Sequence, residues 1–268
     1  MNGNPDSESS DDKTVISAYI ITKNEEQNIT RAIRSVRWMD EVIVLDSGSS
    51  DSTLDKARKL GARIAEAEFK GFADQKNKAM NLCHGEWVFN LDADEEVTPE
   101  LRKSIEEVIL NGQHPDKPQV YCVTRKTYYL GRWIKHCGWY PEYRSRLSVS
   151  GQARWTGDVL HEKLCGDGPV GHLSGDLLHR PYTDLGEHLR TIDRYSELWT
   201  KREVNSGRRI CFFDILLRPA AKFLKMYVIR AGFLDFGSGL IASLMGAWYT
   251  FMKYARLYEA LRIQKWKN

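Results

Sequence analysis

The 268-residue sequence predicts an α/β fold: a mostly parallel sheet with helices on both faces, followed by a helical, basic and apolar C-terminal extension. Three observations predict it. Short β-branched runs alternate with helix-period segments from residue 15 to about residue 112, with short links between them. Polar clusters recur where those strands end, and ligands of parallel α/β sheets bind beyond the carboxyl ends of the strands. The net charge of +3 divides unevenly: residues 201–268 hold 13 Lys+Arg against 4 Asp+Glu, a net of +9, and the other 200 residues hold 26 against 32, a net of −6. The 42% hydrophobic and 28% charged content argues against global disorder, collagen and coiled coil.

The elements follow in order. Val15–Thr22 (VISAYIIT) is a β-branched apolar run and predicts a buried strand. Asn24 opens a helical pattern with Ile29, Ala32, Ile33 and Val36 on one face, and Glu25 and Glu26 suit the positive helix start. Val42–Leu45 predicts a second strand ending at Asp46, then a turn over Ser47–Ser50 and a helix over Asp51–Leu60 stopped by Gly61. Arg63–Ala67 predicts a third strand, Phe72–Cys83 a helix, and Trp87–Leu91 a fourth strand that ends in the acidic run Asp92–Glu96. Thr98 is placed to cap the next helix with Pro99 at its first position. Val120–Lys126 predicts another strand. Residues 127–180 are rich in Gly, Trp, Tyr, Arg and His with weak periodicity, and predict long functional loops. Residues 184–205 and 210–264 predict helices.

The expected organisation is a disordered acidic tail over 1–13, a catalytic domain over 14–205 and a helical extension over 206–268. The first residues, MNGNPDSESSDDK, have no apolar core and do not resemble a signal peptide. Five cysteines, an odd number with no CxxC pair, argue against a disulfide framework or zinc ribbon and suggest reduced thiols in a cytosolic setting.

Three polar clusters, Asn24–Glu26, Asp46–Asp51 and Asp92–Glu95, stand at strand carboxyl ends. Asp92-Ala93-Asp94 can face two carboxylates into one ligand volume, and hard oxygen ligands suit Mg²⁺ or Mn²⁺ with water and diphosphate oxygens. Such a triplet also arises by chance in a chain of this size, so its place at a strand end carries the argument. Asp46 either accepts from a nucleobase N–H or ribose hydroxyl or caps its turn. Asp51 is read as a plain helix cap. Lys76 and Asn77 either reach a phosphate or ribose or lie on a solvated helix face.

The ordered segments ISAYIITKNEEQNI, VIVLDSGSSDST, ADQKNKAM and GEWVFNLDADE resemble the family 2 glycosyltransferases, which have the GT-A fold; the resemblance spans roughly residues 14–165. The segment RSRLSVSGQARWTGDVLHEKL and the tail FLKMYVIRAGFLDFGSGLIASLMGAWYTFMKYARL resemble bacterial enzymes of lipopolysaccharide core synthesis, nearest to the β-1,4-glucosyltransferases that act on inner-core heptose. The resemblance implies a UDP-sugar donor, with Asp46 at the uracil and Thr22, Asn24 and Glu25 in the nucleotide pocket. It implies Asp92 at ribose or metal-bound water and Asp94 as ligand of Mg²⁺ or Mn²⁺. It implies a carboxylate base, with Glu162 the best positional match and Asp158 in reserve, and inversion at the anomeric carbon. His161 is a further metal ligand, a phosphate-orienting group or a structural histidine.

Trp139, Tyr140, Arg144, Arg146 and Trp155 are read as an acceptor wall, since aromatic faces stack on sugar rings and arginine forks bind phosphates or carboxylates. Ordinary loop packing is the other reading. Phe236–Met252 holds 17 residues without a charge, flanked by basic residues. Helices lying in an anionic membrane surface are favoured over a span, which places the protein peripherally on the cytoplasmic face of the bacterial inner membrane; packing on the catalytic domain or another subunit is the alternative. No nucleic acid is expected, because the basic tail is apolar where a phosphate-tracking surface is polar. A haloacid dehalogenase-type phosphatase also uses D-x-D, but Glu96 stands where that pattern wants Thr or Val. The oligomeric state is not legible.

Overall fold

A computed structural model of the chain describes residues 16–112, 117–157 and 162–267. The acidic tail expected over 1–13, Asp158 and His161 lie outside the described residues.

Strands β1 (Ile16–Thr22), β2 (Glu41–Asp46), β3 (Arg63–Glu66) and β4 (Trp87–Asp92) form the parallel part of the sheet, in spatial order β3-β2-β1-β4. Helices α1 (Ile29–Val36), α2 (Thr53–Lys59) and α3 (Phe72–Met80) make the crossovers. Period-two alternation sorts β1 between the layers. Ile16, Ala18 and Ile20 pack with Ile29, Ile33 and Val36 of α1. Tyr19 faces the other way, in a cluster with Ala79 of α3. Helices therefore cover both faces, as the strand–helix alternation predicts.

The first helix begins later than the sequence pattern places it. Asn24 stands at φ +56° and Glu25–Asn28 form a turn, so the helix starts at Ile29, although its four expected apolar residues are all buried.

Beyond β4 the expectation of long loops over 127–180 is corrected. After β5 (Glu95–Val97) and α4 (Pro99–Leu110), the chain forms β6 (Val120–Tyr129), the short β7 (Arg132–Trp133), β8 (Glu142–Val149), β9 (Ala153–Thr156), β10 (Lys163–Gly166) and β11 (Val170–His179). The sheet continues β4-β8-β6-β11-β5, with β8 antiparallel to both neighbours; β9 and β10 form a separate ribbon. These strands hide from a periodicity reading because charged residues are buried on them: Arg146 on β8 is 2% exposed and Glu95 on β5 is 0% exposed.

Helix α5 (Leu185–Asn205) leads to α6 (Phe212–Leu224) and, through a π turn over Lys225–Ile229 and a 3₁₀ turn over Gly232–Asp235, to α7 (Phe236–Lys267). Buried Asp235 ties this break to the sheet domain. Its carboxylate accepts from the backbone N–H groups of Lys135 (3.1 Å) and His136 (2.8 Å).

Candidate active site

The carboxyl ends of β1, β2, β4, β6 and β11 open onto one cleft of about 1360 Å³, which runs from Thr22, Asp92 and Asp94 to α5, α6 and α7. At its centre is an ion network. Arg146, buried on β8, donates to Asn90 Oδ1 (2.5 Å), Asp92 Oδ2 (2.6 Å) and Glu95 Oε1 (2.5 Å). Arg125 lies 3.5 Å from Glu95 and 2.7 Å from Glu142. Lys76 Nζ, carried by α3 and 2% exposed, lies 3.0 Å from Asp92 Oδ1 and 3.3 Å from Glu162 Oε1. Its ammonium also sits 4.4 Å from the centroid of the Trp155 ring. Burial alone would raise the Asp92 carboxyl, but Arg146 and then Lys76 hold it well below the usual carboxylate range.

Asp94 is arranged differently. Its one ionic partner among the described residues is His179, with Nε2 at 3.2 Å from Oδ2; the other ring nitrogen lies 3.2 Å from Thr127 Oγ1. Burial raises the Asp94 carboxyl and His179 outweighs it, so the group stays below its ordinary value. Glu25, beside these carboxylates, is pushed up to about 7 by burial, against a hydrogen bond from Asn28 and with the charges of Asp94 and Glu187 adding to the rise.

Several expected residues take other places. Asp46 is buried and serves its turn: Oδ2 accepts from the N–H of Gly48 (2.8 Å) and Ser49 (2.7 Å), and Oδ1 from Ser49 Oγ (2.5 Å). Thr22 pairs with Asp46 across the sheet, and its buried hydroxyl has no partner among the described residues. Asn24 holds the same turn by accepting from Ser50 N–H (2.8 Å). Asp51, read as the cap of α2, stands one residue before the N-cap Ser52 and accepts from Thr53 N–H (3.0 Å) at the helix start.

Lys76 is on neither a solvated helix face nor an open phosphate site, because two carboxylates already hold it. Asn77 exchanges two hydrogen bonds of 2.9 Å with the Trp155 backbone, which pins β9 to α3. That arrangement corrects the reading of Asn77 as a ligand contact.

The acceptor wall is likewise redrawn. Arg146 is a buried counterion. Tyr140 is outside the cleft lining and donates to Asp176 Oδ1 (3.2 Å). Trp155 is buried with its indole N–H on Tyr19 Oη (2.7 Å). Trp139, Arg144, Arg146 and Trp155 all line the cleft, with Trp139 edge-on to Tyr129 and Arg144 paired to Glu142 at 2.6 Å.

His179, Arg125 and Glu142 were not expected, and Glu95 was expected only as the end of the acidic cluster. His179 obeys the rule that located the other clusters, since it ends a strand that runs parallel to β6. Gly171, Ser174, Gly175 and Asp176 break the apolar pattern of β11 and conceal that strand.

As a metal site, the donor set divides. Both oxygens of Asp92 are engaged by cations. Asp94, ionised, one-quarter exposed at the cleft and bound by one histidine, fits a hard divalent cation whose remaining ligands are water and diphosphate oxygens. Among the described residues no group of three His, Cys, Asp or Glu is arranged to hold a metal by itself.

Comparisons with known proteins identify the family. The family model "Glycosyl transferase family 2" matches residues 17–161. The chain is 31% identical over 260 residues to the lipopolysaccharide core biosynthesis glycosyltransferase LpsC of Rhizobium meliloti, covering 92% of this chain and 93% of the relative. It is 30% identical over 254 residues to an uncharacterized glycosyltransferase of Rickettsia typhi, covering 91% and 87%. Among solved structures, glucosyl-3-phosphoglycerate synthase of Mycobacterium tuberculosis, in a complex with Mn²⁺ and UDP, aligns at TM-score 0.36 and 25% identity; the match spans less than half of each chain, 43% of this one and 45% of that one. The family match replaces the phosphatase reading of the D-x-D triplet. The chain belongs to glycosyltransferase family 2 and is a glycosyltransferase.

Proposed function

We propose that the enzyme transfers a hexose, glucose in the first instance, from a UDP-sugar to an inner-core heptose of lipopolysaccharide with inversion at the anomeric carbon. The observation that carries this reading is the Lys76 bridge, which brings Glu162 to the same ammonium that holds the first aspartate of the D-x-D triplet. The name of the Rhizobium relative supports the acceptor class. The hexose and the heptose rest on the resemblance in the sequence.

The residues divide the work by charge. Asp46 and Asn24 shape the loop after β2, beside the Thr22 hydroxyl, into a nucleotide pocket at the carboxyl ends of the strands. Arg146 and Lys76 keep Asp92 ionised and fixed. Asp94 is the residue that would hold Mg²⁺ or Mn²⁺, which when bound offsets the charge that builds on the leaving diphosphate. Glu162 takes the acceptor O–H proton as that oxygen attacks the sugar C1; the C1–O bond to phosphate breaks and its electron pair leaves with UDP. Such a base contributes about 10²–10⁴-fold.

The extension is proposed to rest on the anionic cytoplasmic face of the inner membrane. Among the described residues no single helix is long and apolar enough to cross a bilayer. Phe212–Ile229 and Gly232–Arg262 pass that test only together and are bent by 72°. Their outer face exposes Phe213, Leu217, Ile229 (75%) and Phe236 (72%) beside Arg218, Lys225 and Arg230.

A screen of UDP-glucose against other nucleotide sugars, with purified core acceptors and Mg²⁺ or Mn²⁺, tests the reading. Transfer of glucose from UDP-glucose is expected, with loss of turnover in Asp94→Ala and in excess chelator. Glu162→Gln is expected to bind donor but lose about 10²–10⁴-fold in transfer. Full transfer by Glu162→Gln would remove it from the base role.

A further inference from the structure

The cleft does not end at the carboxylates. Helix α5 enters it at Glu187, whose charge acts on Glu25 together with that of Asp94. Glu187 itself is held by Thr183, whose N–H and hydroxyl donate to its carboxylate at 2.7 and 2.8 Å. Arg190 and Arg194 follow on the same helical face. At 1.5 Å per residue they stand about 5 and about 10 Å further along the axis. Both line the cleft, as does Lys222 of α6.

The pairing of these three differs from that of the cations nearer the carboxylates. Lys76, Arg125, Arg144 and Arg146 are all paired with carboxylates. Arg190, Arg194 and Lys222 form no ion pair among the described residues; the contact of Arg194 is its own neighbour's ring, Tyr195 at 5.1 Å. Lys23 and Lys163 also form no ion pair among the described residues, but they adjoin Asn24 and Glu162 at the carboxylate end. An acidic reaction centre thus continues into a basic channel. Free cations in a concave site favour an anionic ligand, and arginine forks match phosphate or carboxylate oxygens.

We propose that Arg190 and Arg194, with Lys222, bind an anionic substituent, a phosphate or carboxylate, on the acceptor glycan and thereby hold its nucleophilic hydroxyl at Glu162. This rests on the glycosyltransferase reading above and moves acceptor recognition from the expected wall on Tyr140, Arg146 and Trp155 to α5 and α6. The donor diphosphate is not the ligand assigned here, because the cations stand on the helical side of the cleft and the nucleotide pocket lies at the ends of β1, β2 and β4.

The test is steady-state kinetics of the full chain with a de-O-acylated, phosphorylated core oligosaccharide, and with the same acceptor carrying its lipid in vesicles. Arg190→Gln and Arg194→Gln are expected to raise the acceptor KM about tenfold each in both formats, since a charge-assisted hydrogen bond contributes about that factor. The KM for UDP-sugar is expected to change by less than about twofold, and Arg194→Lys to recover part of the loss. Removing the phosphates and carboxylates from the oligosaccharide is expected to erase the difference between wild type and variants. A rise in donor KM instead would assign the cations to the diphosphate and overturn the proposal. A rise confined to vesicles would assign them to bilayer headgroups and overturn it too. Wild-type transfer with unaffected variants would refute this inference alone; a wild type that transfers no sugar at all would refute the glycosyltransferase substrate reading beneath it. Circular dichroism of the exposed-helix variants separates misfolding from lost recognition.

Discussion

At the scale of single residues, charge pairing explains more than exposure. Arg146 is buried with three acceptors, and its protonated form is strongly favoured despite desolvation because Asp92 and Glu95 face it. Arg146→Met is expected to destabilise the fold by about 3–5 kcal/mol, because Asp92 and Glu95 lose their shared counterion and keep one cation each, Lys76 and Arg125; urea unfolding measures it. His188 offers a second test. It stacks on Tyr182 at 4.1 Å, its Nδ1 lies 2.8 Å from Tyr129 Oη, and burial lowers its pKa to about 4. The unfolded chain therefore binds a proton that the native chain refuses between about pH 6.5 and 4. Stability is expected to be complete above pH 6.5 and to fall by about 3 kcal/mol as pH drops to 4. His188→Asn should flatten that slope in urea midpoints taken across this range.

At the scale of elements, the join between α4 and β11 seats the strand that carries His179 to the cleft. Thr98 Oγ1 accepts from Leu101 N–H (3.3 Å), capping α4, and donates to Asp176 O (2.9 Å), tying the cap to β11. Gly175 beside it has φ +89°, and a Cβ there would lie 2.3 Å from the Leu101 nitrogen. The irregular register of β11 between His172 and Asp176 falls at this glycine, and His179 follows on the same strand. Gly175→Ala is expected to cost about 2 kcal/mol or more, from backbone strain and a clash with helix backbone. Thr98→Ala should cost about 1 kcal/mol. Thermal unfolding of the two variants checks the order. The cap at Thr98 was legible because hydroxyl, proline and glutamate stand in helix-start order. The strand β11 was not, since the residues that seat it on α4 are the ones that spoil its alternation.

At the scale of the whole molecule, the acidic body and the basic extension are mechanically joined. Asp235 fixes the break between α6 and α7 to the loop after β7, and Met226 and Ala242 pack with Tyr129, Ile134 and Cys137. The extension is therefore part of the cleft and not a detachable tail. Removal of residues 206–268 is expected to expose that cluster and lower solubility. Phe213→Ser with Ile229→Ser, both on the exposed face, should spare the fold and weaken co-sedimentation with anionic vesicles by about tenfold or more. Undiminished vesicle binding by the double variant would refute the proposed membrane contact.

The sequence by itself determined the parallel half of the sheet, the two helical layers and the family. Periodicity and strand-end polarity are local properties, readable without the partner residues. It also marked Asp94 and Glu162, because their segments match a family order. Only the tertiary structure decided which charges are free. Arg146, Lys76 and Asn77 look like ligand groups in a linear reading and prove to be held by Asp92, Glu162 and the Trp155 backbone. Those partners come from strands and helices 16 to 86 residues away in the chain. Burying a charge requires a counterion, and the fold alone specifies where that counterion stands. By the same reasoning Arg190 and Arg194, unremarkable on an amphipathic helix, are left as cleft arginines with no ion pair among the described residues.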